Sequence, residues 1–217
     1  MTTVSAVLVK PRLRGVSHEI AAVVSVAAGM LLLRHVALGA ARNAVAIYTA
    51  SLTTLFAVSA LYHRPTWRPR ARQWMRRLDH AAIFVLIAGT YTPLTLALGA
   101  APRATVLAIV WAGALAGVLQ SVLWVTAPKP LIALLYLALG WSIAPHFGAM
   151  RASLGSTPLL LIVLGGVVYS AGAAVYAKKR PDPVPAVFGY HEVFHALVIV
   201  AAALHFAAVA LITAPHR

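Results

Sequence analysis

The chain has 217 residues, of which 61% are hydrophobic and only 10% are charged. Soluble domains carry about 25% charged residues, so this composition excludes an ordinary soluble protein and predicts a membrane protein. There is no cysteine, which excludes disulfides and thiolate metal ligands, and 18 basic against four acidic residues give a net charge of +14. Because the bases stand in short connections between apolar segments, we expect them to set membrane topology and contact anionic lipids rather than nucleic acid.

Repeated apolar segments match the length of about 20 residues that an α-helix needs to cross a bilayer. They predict an all-α, polytopic membrane protein with a seven-transmembrane-helix bundle. The predicted spans are residues 17–38, 43–63, 78–98, 104–125, 131–147, 158–177 and 188–213. Residues 1–16 are predicted to form a basic cytoplasmic tail, and residues 17–217 a single transmembrane domain.

Basic residues are distributed unequally between the two ends of these spans. With the N-terminus inside, the cytoplasmic connections carry 13 of the 18 lysines and arginines. The positive-inside rule therefore predicts an inside N-terminus and an outside C-terminus, in a multi-pass protein of the cell membrane. The connection Arg64–Arg77 contains six arginines and two tryptophans, and it is predicted to be a loop that contacts anionic headgroups of membrane lipids.

Two histidines open the last span, in the stretch Phe188-Gly-Tyr-His191-Glu192-Val-Phe-His195. Residues four apart on a helix share a face, so His191 and His195 can converge on one ion. His63 ends the second span on the same predicted side of the membrane. Three histidines form the minimal zinc site with one open position. Taken alone, a histidine at a helix end is more often an interfacial side chain that reaches water.

Three polar residues accompany these histidines. Ser59 precedes His63 by four residues and shares its helix face. Asp79 begins the predicted third span, where it is either an N-cap, a carboxylate that orients a metal-bound water or takes its proton, or both. Glu192 completes the pattern His-Glu-x-x-His, in which a zinc protease uses the glutamate as general base. The alternative for Glu192 is to cap the first turn of the last helix or to contact a basic loop residue.

Several short motifs carry a family resemblance. They are Ser59-x-x-Tyr62-His63, Leu78-Asp79-His80, Ile87-Ala-Gly-Thr-Tyr-Thr-Pro93, Gly140-Trp141 and Phe188-Gly-x-His191-Glu192-x-x-His195. In this combination the chain resembles the hemolysin III branch of the progestin and adipoQ receptor superfamily. The resemblance implies a zinc ion held by His63, His191 and His195, and support of that site by Asp79 and Ser59. It also implies either ceramidase-type amide hydrolysis, linked to receptors of the superfamily, or membrane-lipid homeostasis, to which bacterial members are tied.

Three functions are compatible with these residues. The first is a zinc-dependent hydrolase of a lipid amide or ester, or a regulator of membrane lipids. The second is a non-enzymatic sensor or receptor with a structural zinc. The third is an intramembrane zinc protease that uses Glu192 as its base, and it lacks a further acid in the later spans to act as an extra ligand. His18, in the first span, is predicted to have a structural or supporting role rather than to bind the metal.

Overall fold

The structure, a computed structural model, describes residues 10–214, so most of the predicted tail (residues 1–9) and the last three residues lie outside it. The described residues form eight α-helices and two short 3-10 turns, Thr95–Ala97 and Ala144–His146. The α-helices are α1 (Val16–His35), α2 (Ala40–His63), α3 (Pro69–Leu94), α4 (Ala100–Leu123), α5 (Lys129–Gly140), α6 (Phe147–Leu154), α7 (Ser156–Lys178) and α8 (Tyr190–Thr213). Within this range the only β pairing is an isolated bridge between Val184 and Phe188, which confirms the predicted all-α fold.

Seven segments of the described chain are long and apolar enough to cross a membrane. Five of them are single helices, α1, α2, α4, α7 and α8. The third segment, Pro69–Ala97, joins α3 to the following 3-10 turn, and the fifth, Lys129–Leu154, contains both α5 and α6. The prediction of seven spans is therefore confirmed, while the inside placement of the N-terminus stays a prediction.

The prediction that Arg64–Arg77 forms a loop is wrong from Pro69 onward, because α3 begins at Pro69. Proline suits the first position of a helix, where its missing N–H is not needed, and arginine, glutamine and methionine are good helix formers. The arginines lower the hydropathy of the first turns of α3, so a search for apolar segments does not detect where this helix begins. As a consequence, Asp79 lies in the interior of α3, and the expectation that it caps the helix is also wrong.

The third span lies at the centre of the bundle. In its most apolar 18-residue window 67% of the residues are buried, against 17% in α1. It packs against α2, α4, α5 and α8, while α1 packs against α2 and α8 and so closes the ring. Helices α2 and α3 approach closely at Gly89, where an added β-carbon would clash with the Ser51 side chain. The same pair of helices brings His63, at the end of α2, beside Asp79 of α3.

A tyrosine supports the break in the fifth span. The hydroxyl of Tyr91 donates a hydrogen bond to the carbonyl of Gly140 at 2.7 Å and accepts one from the amide of Ile143 at 3.0 Å. Helix ends leave backbone groups without intrahelical partners, and these are costly inside a membrane. Tyr91 satisfies two such groups and ties α3 to the end of α5 and to the 3-10 turn that follows it.

Candidate metal centre

The three predicted ligand histidines lie together where α2 ends and α8 begins. His63 is the last residue of α2, and His191 and His195 lie in the first two turns of α8. Their ring centroids are between 4.5 and 5.0 Å apart. One side-chain nitrogen of each lies within 4.8 Å of the other two. This histidine cluster (His63, His191 and His195) is compact enough to hold a metal ion.

The donor set fits a transition metal. The Nε2 atoms of His63 and His191 are 3.1 Å apart. Two nitrogens bound to one tetrahedral zinc at about 2.0–2.1 Å are about 3.3 Å from each other, so this pair needs little movement to share an ion. The Nδ1 atom of His195 is buried without a hydrogen-bond partner among residues 10–214. Imidazoles also suit copper, iron and nickel, so the geometry fits a metal ion without selecting one.

Asp79 and Ser59 lie beside the histidine cluster. A carboxylate oxygen of Asp79 is 4.0 Å from the Nε2 atom of His63, and the side chain is only 13% exposed. This distance is too long for a direct hydrogen bond. The buried Ser59 hydroxyl approaches the same carboxylate. The two residues therefore place an acceptor and a hydroxyl next to the histidine cluster.

Glu192 points away from this chemistry and supports the start of α8. One of its carboxylate oxygens accepts a hydrogen bond from the backbone amide of Gly189 at 2.8 Å, which caps the helix. The other oxygen forms an ion pair with the guanidinium of Arg14. Both alternatives to a general base, capping and contact with a basic residue, are therefore confirmed.

The segment before α1 covers the cluster, which the sequence did not reveal. This strap (residues 10–15) forms backbone hydrogen bonds from Arg12 and Leu13 to the carbonyls of Ala186 and Val187. Its last residue, Gly15, has φ +83°, and an added β-carbon there would lie 2.7 Å from the β-carbon of His63. The strap therefore lies directly over one ligand.

The surroundings of the strap are strongly positive. The ammonium of Lys10 donates a hydrogen bond to the carbonyl of Arg64 at 2.8 Å. Partial burial, followed by the charges of Arg64, Arg14 and Arg72, lowers the pKa of Lys10 from its ordinary value. Such a concentration of cations favours anionic groups near this end of the bundle.

A cavity of about 130 Å³ extends from the cluster into the bundle. Its wall includes His195, Asp79 and Ser59 at one end and His205 further along α8. Ten residues of helix separate His195 from His205, which corresponds to about 15 Å. Most of the remaining wall consists of aliphatic and aromatic side chains from α3, α5, α7 and α8. The cavity therefore suits an apolar chain with a polar group at the histidine end.

The other notable histidines lie outside the ligand set. His205 interacts through Nε2 with the carbonyl of Ile162 at 3.1 Å, and its ring occupies the space that a side chain at Gly165 would need. This contact joins α7 to α8 and accounts for a histidine whose purpose the sequence left open. His18 is buried and its ring stacks on that of His195, so it contacts one histidine of the cluster from outside it.

Comparisons with known proteins agree with these features. The model of the family described as "Haemolysin-III related" matches residues 6–206. Hemolysin-3 of Bacillus cereus is 30% identical over 196 residues, covering 88% of this chain and 86% of that protein. A hemolysin-3 homolog of Bacillus subtilis (strain 168) is 32% identical over 188 residues, covering 85% of each chain. The monocyte to macrophage differentiation factor of Homo sapiens is 26% identical over 171 residues, covering 75% of this chain and 67% of that protein. The chain with this buried histidine cluster belongs to the haemolysin III family of the progestin and adipoQ receptor superfamily.

Proposed function

We propose that this protein is a zinc-dependent membrane hydrolase that cleaves an amide or ester bond of a lipid and takes part in membrane-lipid homeostasis. The observation that carries the proposal is the position of the histidine cluster at the end of the cavity. His195, Asp79 and Ser59 belong to a wall that is otherwise mostly apolar. An acyl chain held along that wall would bring a carbonyl group next to the cluster.

The residues around the cluster have complementary tasks in such a reaction. A zinc ion held by His63, His191 and His195 would lower the pKa of a bound water to about 7 and would polarise a carbonyl group. Asp79, 4.0 Å from His63, accepts a proton from the attacking water and returns it to the leaving group. Ser59 orients this carboxylate, and the apolar wall excludes bulk water, which strengthens every electrostatic interaction at the site.

The contacts of Glu192 argue against a protease mechanism. A general base needs a free oxygen within about 2.6–3.2 Å of the proton that it removes. Both oxygens of Glu192 are engaged, one by the guanidinium of Arg14 and one by the amide of Gly189. The pattern His-Glu-x-x-His therefore serves helix capping here, and we do not assign a catalytic role to its glutamate.

A non-enzymatic sensor is the second candidate, and the enclosure of the cluster favours it. His63 and His195 are 8% and 2% exposed, and the strap lies over His63. A structural metal at this place would join α2 to α8, and a lipid in the cavity would shift a conformational equilibrium by binding one state better than the other. Such a protein would need the same ligands but no proton acceptor.

Asp79→Asn separates these two candidates. Purified protein in nanodiscs is assayed for metal by elemental analysis and for fatty acid release from a ceramide and from a phospholipid by mass spectrometry. We expect wild type to hold about one zinc per chain, and Asp79→Asn to keep it while losing at least about a hundredfold in turnover, the usual contribution of a general base. Glu19→Gln, at an exposed acid paired with Arg64, is the matched control and should retain activity. Metal without any fatty acid release in wild type would favour the sensor, and absence of metal would refute the site.

A further inference from the structure

His18 is a buried histidine in the first turn of α1 that neither binds the metal nor fills an obvious structural need. Its side chain is 2% exposed. The imidazole lies parallel to that of His195, with the ring centroids 3.8 Å apart and an interplanar angle of 7°. On another side it meets the ring of Phe56 edge-on at 5.1 Å. Its position is therefore well defined by packing.

The stacking excludes His18 as a fourth ligand. A metal ion lies close to the plane of each imidazole that binds it, at about 2.0–2.1 Å from the nitrogen. Two parallel rings whose centroids are 3.8 Å apart cannot both meet this condition for one ion. The role of His18 must therefore come from its own nitrogens or from its ring.

Both ring nitrogens of His18 lack a hydrogen-bond partner among the described residues. The backbone of His195 approaches the ring but does not meet hydrogen-bond geometry. Leaving a buried donor or acceptor unsatisfied costs about 1–3 kcal/mol, and native proteins rarely do so. A phenylalanine at this position would stack equally well without that cost, so packing alone does not explain a histidine.

The same imidazole belongs to the cavity wall, together with Ser59, Asp79 and His195. We propose that His18 is a substrate-contacting residue that donates a hydrogen bond to the carbonyl oxygen of a lipid amide or ester in this cavity. This inference rests on the proposed function and names a contact made by α1. A neutral imidazole always carries one N–H, so the contact needs no change of charge. The stack on His195 holds the donor beside the cluster, where the carbonyl group must lie to react.

Ligand selectivity tests the contact without relying on turnover. Radiolabelled palmitamide is bound to the purified, metal-loaded protein in detergent and displaced either by unlabelled palmitamide or by octadecene, which has a similar chain but no carbonyl. His18→Phe keeps a stacking ring and removes both nitrogens. We expect this variant to keep its metal and to lose about tenfold in preference for the amide, the magnitude of one buried hydrogen bond.

Two further variants control for packing. Phe56→Leu changes the edge-on neighbour of His18 and leaves the nitrogens intact, so it should keep the preference. His18→Asn retains an N–H donor and should recover part of it. His18→Leu, which also lacks a donor, takes the place of His18→Phe if that variant fails to fold. Equal preference in wild type and His18→Phe, or loss of metal in His18→Phe, would overturn this inference. If instead wild-type protein neither binds palmitamide nor cleaves any lipid, the proposed function itself fails.

Discussion

Replacing Glu192 by glutamine tests whether this buried carboxylate supports α8 or takes part in chemistry. Its side chain is 3% exposed, and its partner Arg14 is 20% exposed. Glutamine has nearly the same shape and keeps an oxygen for the Gly189 amide, so the substitution removes mainly the negative charge. The structure therefore predicts a loss of stability without a loss of the catalytic group.

The magnitude follows from the exposure of the two partners. Removing one member of a buried ion pair costs about 3–5 kcal/mol, because the other charge is left without compensation. Because Arg14 is 20% exposed, water can hydrate its guanidinium and compensate part of the lost ion pair. We therefore expect Glu192→Gln to lower the free energy of unfolding by about 2 kcal/mol. For a chain of this size that lowers Tm by about 4–8 °C. Glu192→Ala also removes the helix cap and should cost about 1 kcal/mol more.

Thermal unfolding in detergent, followed by the fraction of monomer in size-exclusion chromatography, measures this loss. Arg14→Gln should give a similar decrease, and the double variant should be much less destabilised than the sum of the two, since each change removes the same ion pair. Lipid hydrolysis and metal content, measured well below Tm, should remain near those of wild type in Glu192→Gln. Abolished turnover with unchanged Tm and metal content would refute this argument and identify Glu192 as the general base.

Two further predictions concern the strap and the topology. Gly15→Ala adds a β-carbon 2.7 Å from that of His63 and should reduce the metal content severalfold. Gly39→Ala is the control, because Gly39 also has a positive φ but has no atom within 4 Å of an added β-carbon, so this variant should retain the metal. Equal metal content in both variants would show that the strap does not position His63. For topology, a single cysteine at the exposed Leu38 should react with an impermeant thiol reagent on intact cells, and one at the exposed Lys179 only after permeabilisation. The reverse pattern would overturn the inside N-terminus.

Hydropathy and helical spacing predicted the seven spans because both signals are local. A run of apolar residues is sufficient to identify a span, and two histidines four apart are sufficient to place them on one face. The same local criterion failed for the first turns of α3, where arginines interrupt the apolar pattern but not the helix. The resulting error moved the start of the helix by nine residues and made an N-cap one of the alternatives for Asp79, which α3 excludes.

The contacts that organise the site could not be predicted in this way because they join distant parts of the chain. The ion pair between Arg14 and Glu192 spans 178 positions. The stack of His18 on His195 likewise depends on how α1 packs against α8. For the ion pair, the sequence showed an acid, Glu192, next to a candidate ligand. For the stack, it showed a histidine, His18, at the predicted depth of the site. In neither case did the sequence indicate which residue would be the partner.

The four acids of the chain all lie in the described region, and their contacts distinguish one from the other three. Glu192 pairs with Arg14, Glu19 pairs with Arg64, and Asp182 accepts a hydrogen bond from the amide of Tyr190. Asp79 forms no salt bridge with a lysine or arginine of residues 10–214, and the basic group nearest to it is the imidazole of His63. A carboxylate held by a cation is a poor proton acceptor, because the cation stabilises its ionised form. Asp182 has no such cation, but it is exposed and does not belong to the cavity wall. If the chain performs hydrolysis, Asp79 is therefore the acid beside the histidine cluster that is free to exchange a proton.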